Sequence, residues 1–100
     1  MPFNNSSSYP FTEAGILSYA PRQSGVYGIF KNNQWIYVGE AKDIEARLFA
    51  HLRGESDQSA CILRNGATHF TFELCGEAVR MGREVTLIAE LRPSCNIAGR

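Results

Sequence analysis

Three features of this 100-residue sequence predict an α/β fold of the α+β type, with a small three-stranded antiparallel sheet flanked by helices. Two β-rich runs, residues 26–30 and 35–38, flank the polar turn Lys31-Asn32-Asn33-Gln34, which is the pattern of a hairpin. Residues 68–74 alternate polar and apolar, as a strand with one buried face does. Helical periodicity over residues 41–52 and 77–91 supplies the elements that would cover the sheet's apolar surface.

Taken in order, residues 1–10 are rich in Asn and Ser, with Ser6-Ser7-Ser8 in a row. So little apolar surface predicts a disordered, frayed lead-in, with residues 11–100 as a single domain. Thr12 is placed to cap a helix carrying Glu13 in its first turn and Ile16 and Leu17 for packing; Gly15 and Pro21 hold it to about two turns. The hairpin strands carry Tyr27 and Tyr37, and Gly25, Gly28 and Gly39 mark close backbone approach or a bulge. After Gly39 the period changes: Ile44, Leu48 and Leu52 recur every four residues, Gly54 stops the helix, and Arg47 and His51 share one side of it. Residues 55–66 are polar except for Cys61-Ile62-Leu63, a short helical turn, and Phe70, Phe72 and Leu74 form the buried face of the third strand. On the last helix Met81, Val85, Leu87, Ile88 and Leu91 form the apolar face, with Glu84 at its border and Pro93 beyond its end.

Composition narrows the function classes. With 44% hydrophobic residues, the chain can bury one modest core without structural metal or disulfides. Ten Lys and Arg balance ten Asp and Glu, whereas domains that hold nucleic acid by phosphate contacts alone usually read as basic. A nucleic-acid function therefore needs a local basic surface or a partner. Cys61, Cys75 and Cys95 lack CxxC spacing, which argues against a zinc site or a disulfide framework and predicts free thiols in a reducing cytosol. No basic start precedes an apolar core and no apolar run reaches membrane-spanning length, so a cytoplasmic protein with no membrane partner is expected. Oligomeric state is not legible.

Five side chains carry potential chemistry. Glu84 beside an apolar stripe is costly unless it pairs, with Arg80 for instance, or binds a metal. By default Arg47 is a solvated charge, His51 a packed or surface residue, and Tyr27 and Tyr37 are core aromatics whose hydroxyls need partners. Their placement on consecutive elements of one sheet favours a site.

The series Gly25-Val26-Tyr27, Tyr37-Val38-Gly39, Ala41-Lys42-Asp43-Ile44 and Arg47-Leu48, followed by Glu84 on a helix, Arg92-Pro93 and Asn96, resembles the GIY-YIG nuclease superfamily. The resemblance covers residues 24–97 and is to the N-terminal catalytic domain of the nucleotide-excision-repair incision nuclease and its stand-alone relatives. It implies a metal-dependent endonuclease that hydrolyses DNA phosphodiesters, on branched or damaged DNA, with a protein partner supplying specificity. In that reading Glu84 holds Mg²⁺ (or Mn²⁺), Arg47 grips the scissile phosphate, and Tyr27, with Tyr37 nearby, orients or deprotonates the attacking water. His51 assists that proton transfer, and Lys42 and Asn96 join Arg47 on the substrate side, with Asn96 bracing the site. Glu40 departs from the pattern, standing where close relatives often carry a lysine; an acid favoured by a helix N-terminus is its ordinary explanation. The alternatives are a non-catalytic nucleic-acid- or protein-binding module that keeps the fold, and a structural domain in which both tyrosines are only core.

Overall fold

A computed structural model describes residues 2–98, with side chains through residue 96. Its elements are β1 (Tyr9–Pro10), α1 (Glu13–Tyr19), β2 (Gly25–Lys31), β3 (Gln34–Ala41), α2 (Ile44–Leu52), α3 (Ser59–Arg64), β4 (His69–Leu74), α4 (Glu77–Leu91) and α5 (Ser94–Ala98). The sheet has four antiparallel strands in the order β1-β4-β2-β3, one more than the sequence predicts.

The extra strand comes from the segment read as frayed. Tyr9 pairs with Phe70 and Pro10 with His69, and Phe3 is only 2% exposed. Hydrogen bonds reinforce this: the Asn4 amide donates to Glu73 Oε1 at 2.7 Å, Asn5 Nδ2 to the Phe72 carbonyl at 3.0 Å, and Thr71 Oγ1 to the Ser7 carbonyl at 2.8 Å. A polar segment thus gains its order by pairing with the open side of β4, a partner that composition does not reveal. Gly28 makes room for it, since a Cβ there would lie 2.8 Å from the Phe3 ring.

The two faces of the sheet bury separate cores. Tyr27, Ile29, Tyr37 and Phe70 pack with Ile16, Ile44, Leu48 and Ile62 of α1, α2 and α3. On the opposite face Val26 and Val38 pack with Phe3 and Leu87 of α4. Alternation along β2 and β3 sends neighbouring side chains to different cores, so Tyr37 and Gly39 face the α2 side while Val38 faces α4. Helix α2 begins later than the predicted position 41, because Ala41 stays in the sheet opposite Gly25 and Asp43 caps the helix by accepting from the Ala46 amide at 3.0 Å.

The expected apolar face of α4 is only partly used. Leu87 is buried, but Met81 is 70% and Val85 64% exposed. The side turned to the sheet runs through Arg80, Arg83, Glu84 and Leu87, with Ile88 and Leu91 of the expected face also packed against the core, and polar pairs add to the fastening. Arg83 holds Glu73 of β4 through Nε–Oε2 at 2.8 Å and Nη2–Oε1 at 3.0 Å, a bidentate geometry with fixed orientation.

The cysteines also differ from expectation. Cys61 of α3 and Cys95 of α5 form a disulfide across 34 positions of sequence, with Cα atoms 5.8 Å apart, and Cys75 is free. Spacing alone cannot reveal a bridge whose partners meet only through the packing of two short helices. Among the described residues no helix is long and apolar enough to cross a membrane.

Candidate active site

Tyr27, Tyr37 and His51 meet beside β3, an edge strand of the sheet, and Arg47 and Glu84 lie close enough to act on Tyr27 electrostatically. Tyr27 lies directly across from Gly39 and is fully buried. A Cβ at position 39 would come within 2.6 Å of Tyr27 Cζ and 2.9 Å of Tyr37 Cε2, so glycine is what lets the Tyr27 phenol cross beneath β3. Its hydroxyl ends 2.7 Å from His51 Nε2. His51 reaches it from the last turn of α2, buried, and its ring lies edge-on to Tyr37 at 5.2 Å between centroids.

His51 Nδ1 is 2.6 Å from Ser56 Oγ, which in turn lies 2.8 Å from Ser59 Oγ. Neither serine belongs to the sequence-derived set. They fall in a polar stretch without periodicity, and only their spacing from His51, five and eight residues on, could have pointed to them.

Electrostatics tie these groups together. Burial pushes the Tyr27 phenol well above its usual range, reinforced by Tyr37 and Glu84, while the nearby Arg47 guanidinium pulls it back. Tyr37 is raised by burial and by Glu84, with Arg47 opposing. Burial, and secondarily the positive charge of Arg47, lower His51 from 6.5 to about 4, so at neutral pH it is an uncharged imidazole able to accept a proton bond. Glu84 is half-buried, and burial together with Glu40 raises its carboxyl, opposed by the Glu40 backbone amide.

Arg47 is exposed on α2, and with Glu40, Lys42, Asp43, Ala46 and Ala50 it lines an open groove of about 440 Å³. Lys42, also exposed, shares that groove with Arg47, so two cations face solvent there. Asn96 has a different place. Its Oδ1 accepts from the Val38 amide at 2.8 Å and its Nδ2 donates to the Val38 carbonyl at 2.9 Å, clipping the outer edge of β3 between Tyr37 and Gly39. The amide expected on the substrate side is spent on the strand, as a brace.

Glu40 proves to be a strand residue opposite Val26, not a helix N-terminal acid. Arg80 Nε donates to its carboxylate, and Arg80 Nη1 donates to Ser24 Oγ at 2.9 Å. Arg80 therefore neutralises Glu40, and the anticipated Arg80–Glu84 pair gives way to it. Glu84 keeps no such ion pair among the described residues.

Those residues hold no cluster of three His, Cys, Asp or Glu side chains, so a divalent ion here would rest on Glu84 as its protein carboxylate. Such a donor suits Mg²⁺, which takes oxygen ligands and keeps most of its water. A carboxylate whose charge is penalised by burial and by a second carboxylate is also one that a cation would stabilise.

The geometry has relatives among solved structures. The chain superposes on the N-terminal GIY-YIG endonuclease domain of UvrC from Thermotoga maritima bound to its catalytic divalent cation, magnesium, with a TM-score of 0.69 and 26% identity, covering 84% of this chain and 97% of that one. In sequence it is 30% identical over 81 residues to UvrABC system protein C from Fervidobacterium nodosum, covering 81% of this chain and 14% of that protein. It is 37% identical over 82 residues to the Bradyrhizobium diazoefficiens protein of the same name, covering 78% and 12%. The chain thus spans about one seventh of the curated relatives it matches. No family profile matches it. Fold, element order and motif spacing together fit a GIY-YIG domain, of mixed α+β class. The domain it is like is the one at the N-terminus of UvrC, the endonuclease domain of the UvrABC system protein C.

Proposed function

We propose that this chain is a metal-dependent endonuclease that hydrolyses DNA phosphodiester bonds. One observation carries the reading: the Tyr27 hydroxyl, 2.7 Å from His51 Nε2, also feels Arg47 and Glu84, so a proton carrier, a phosphate-sized cation and a metal-type carboxylate share one corner of the fold.

Arg47 grips the scissile phosphate from the groove, where its planar, permanently charged fork suits two phosphoryl oxygens, and Lys42 adds a second positive contact. Tyr27 orients the attacking water, which would have to enter the corner with the substrate because the phenol is fully buried. Its raised pKa keeps the phenol neutral, so it works by taking a proton from the water as it passes its own to His51. His51 is uncharged at neutral pH and can accept that proton, and a substrate phosphate beside Arg47 would offset the burial and the positive charge that disfavour its cation. Tyr37 closes the pocket against Tyr27 and His51. Glu84 would hold Mg²⁺ or Mn²⁺, which when bound would neutralise charge on the phosphate and the leaving oxygen. The water oxygen bonds to phosphorus as the phosphorus–oxygen ester bond breaks, and the leaving oxygen recovers a proton from solvent. Substrate choice, with branched or damaged DNA as the candidates, falls to a protein partner, because the domain's formal net charge is zero. A cytoplasmic setting goes with this reading, and in that reducing compartment the Cys61–Cys95 pair would be held as thiols.

The pairing of Glu40 with Arg80 favours a second reading, a binding module without turnover, since it leaves no cation at position 40. Incubation with nicked, branched, single-stranded and duplex DNA in Mg²⁺ or Mn²⁺ separates the two. We expect cleavage, with Glu84→Ala and Arg47→Ala each slowing it on the order of a hundredfold or more. Salt-sensitive binding without cleavage, or variants that cut as well as the parent, would overturn the catalytic reading.

A further inference from the structure

We infer that Ser56, backed by Ser59, is a positioning residue that fixes the tautomer of His51 and thereby aims the phenolic proton of Tyr27. The inference rests on the reading above, in which Tyr27 passes its proton to His51. The chain of hydrogen bonds can be followed from its far end. Ser59 Oγ lies 3.2 Å from the Ala50 carbonyl, and a carbonyl can only accept, so the single Ser59 hydroxyl proton goes there. Ser59 Oγ must then act as acceptor toward its other partners, the Ser56 amide at 3.0 Å and Ser56 Oγ at 2.8 Å. That commits the Ser56 hydroxyl proton to Ser59. Ser56 Oγ is left as an acceptor toward His51 Nδ1 at 2.6 Å, so Nδ1 carries the imidazole proton and Nε2 is bare.

A bare Nε2 makes Tyr27 the donor across their 2.7 Å contact. The reverse polarity would forfeit the Ser59–Ala50 bond. It would also turn the Tyr27 oxygen into an acceptor facing both the imidazole N–H and the Arg47 guanidinium, with the phenolic proton aimed away from the imidazole. The arrangement survives proton transfer as well: when His51 gains a proton at Nε2, Nδ1–H stays on Ser56 and nothing needs to rotate. Both ends of the chain are shielded from water, His51 and Ser59 being 0% and 3% exposed, while Ser56 between them is half-buried. Second-sphere hydroxyls that fix an imidazole in this way act like the partners that orient metal-bound histidines.

Long-range nitrogen–proton NMR of the ¹⁵N-labelled protein reads the tautomer directly and needs no cleavage. In the parent protein near neutral pH we expect protonated Nδ1 and unprotonated Nε2. Ser56→Ala should mix the two forms and lower kcat on the order of tenfold, a fraction of what general acid–base catalysis contributes, with KM unchanged, and Ser56→Thr should restore both. Ser59→Ala provides a second variant with the same expected mixing should Ser56→Ala fail to fold. A parent protein with its proton on Nε2, or variants with unaltered tautomer and kcat, would overturn the inference. If the tautomer behaves as expected while no DNA is cut, the hydrogen-bond assignment stands and the nuclease reading fails, together with the contribution of Ser56 to turnover.

Discussion

Acid should destabilise this fold through His51 in a way that can be isolated. The imidazole titrates at about 4 in the folded protein against 6.5 for an unperturbed histidine. An unfolded chain therefore takes up a proton as pH falls through 6.5, while the folded chain resists until about 4. The contribution of His51 to stability is complete above 6.5 and is lost progressively between 6.5 and about 4. At about 1.4 kcal/mol per pH unit, the loss reaches roughly 3 kcal/mol at the bottom of that window, a large share of the ~5–15 kcal/mol typical of a domain.

Carboxylates titrate in the same region. Glu73, lowered chiefly by its hydrogen bonds to Arg83, also loses stabilisation as pH falls, whereas Glu84, raised by burial, contributes with the opposite sign. A His51→Gln variant retains these groups, so the difference between parent and variant reports His51 alone. Urea unfolding followed by circular dichroism, in steps from above 6.5 down to 4, should show the parent losing roughly 3 kcal/mol more than His51→Gln. Parallel curves would refute the claim that folding holds this imidazole neutral.

Two further outcomes are expected. Gly39→Ala should cost about 1–3 kcal/mol through overpacking and lower cleavage at least tenfold, because the new methyl meets the Tyr27 ring that must reach His51; Gly82→Ala, in open space, serves as the control and should leave cleavage unchanged. Cys95→Ser should lower unfolding free energy by about 3–4 kcal/mol, from the chain entropy of a loop closed between cysteines 34 positions apart, as read by urea unfolding without reductant; equal midpoints for parent and variant would remove the disulfide from the account.

Residues whose role is local were legible from sequence, and those whose role depends on meeting a distant partner were not. Thr12 caps α1 because its hydroxyl needs only an amide three residues away, and α4 keeps its predicted bounds because its period and Pro93 are both written locally. Helical spacing sets Arg47 and His51 on one side of α2, but the grouping of these two with Tyr27 and Tyr37 in one site is what the family resemblance implies. Helical spacing sets Arg80 beside Glu84, one turn along the same helix, whereas it reaches Glu40 across to β3; such spacing ranks near neighbours and is blind to a facing strand. Phe3 and Tyr9 were lost in a serine-rich lead-in for the same reason. Their partners, Val26, Leu87, Phe70 and Phe72, come from much later in the chain.

The Cys61–Cys95 bridge takes on a different aspect once its neighbours are considered. Cys61 sits two residues after Ser59, the anchor of the hydrogen-bond chain to His51, and Cys95 directly precedes Asn96, the clip on the edge of β3. A single covalent bond thus couples both supports of the reactive corner. The short helix α5 cannot peel from the strand without drawing on α3, and local opening at one support is resisted by the other. In a reducing solution the two supports would become independent, each held by its own packing and hydrogen bonds, and the corner would breathe as two parts.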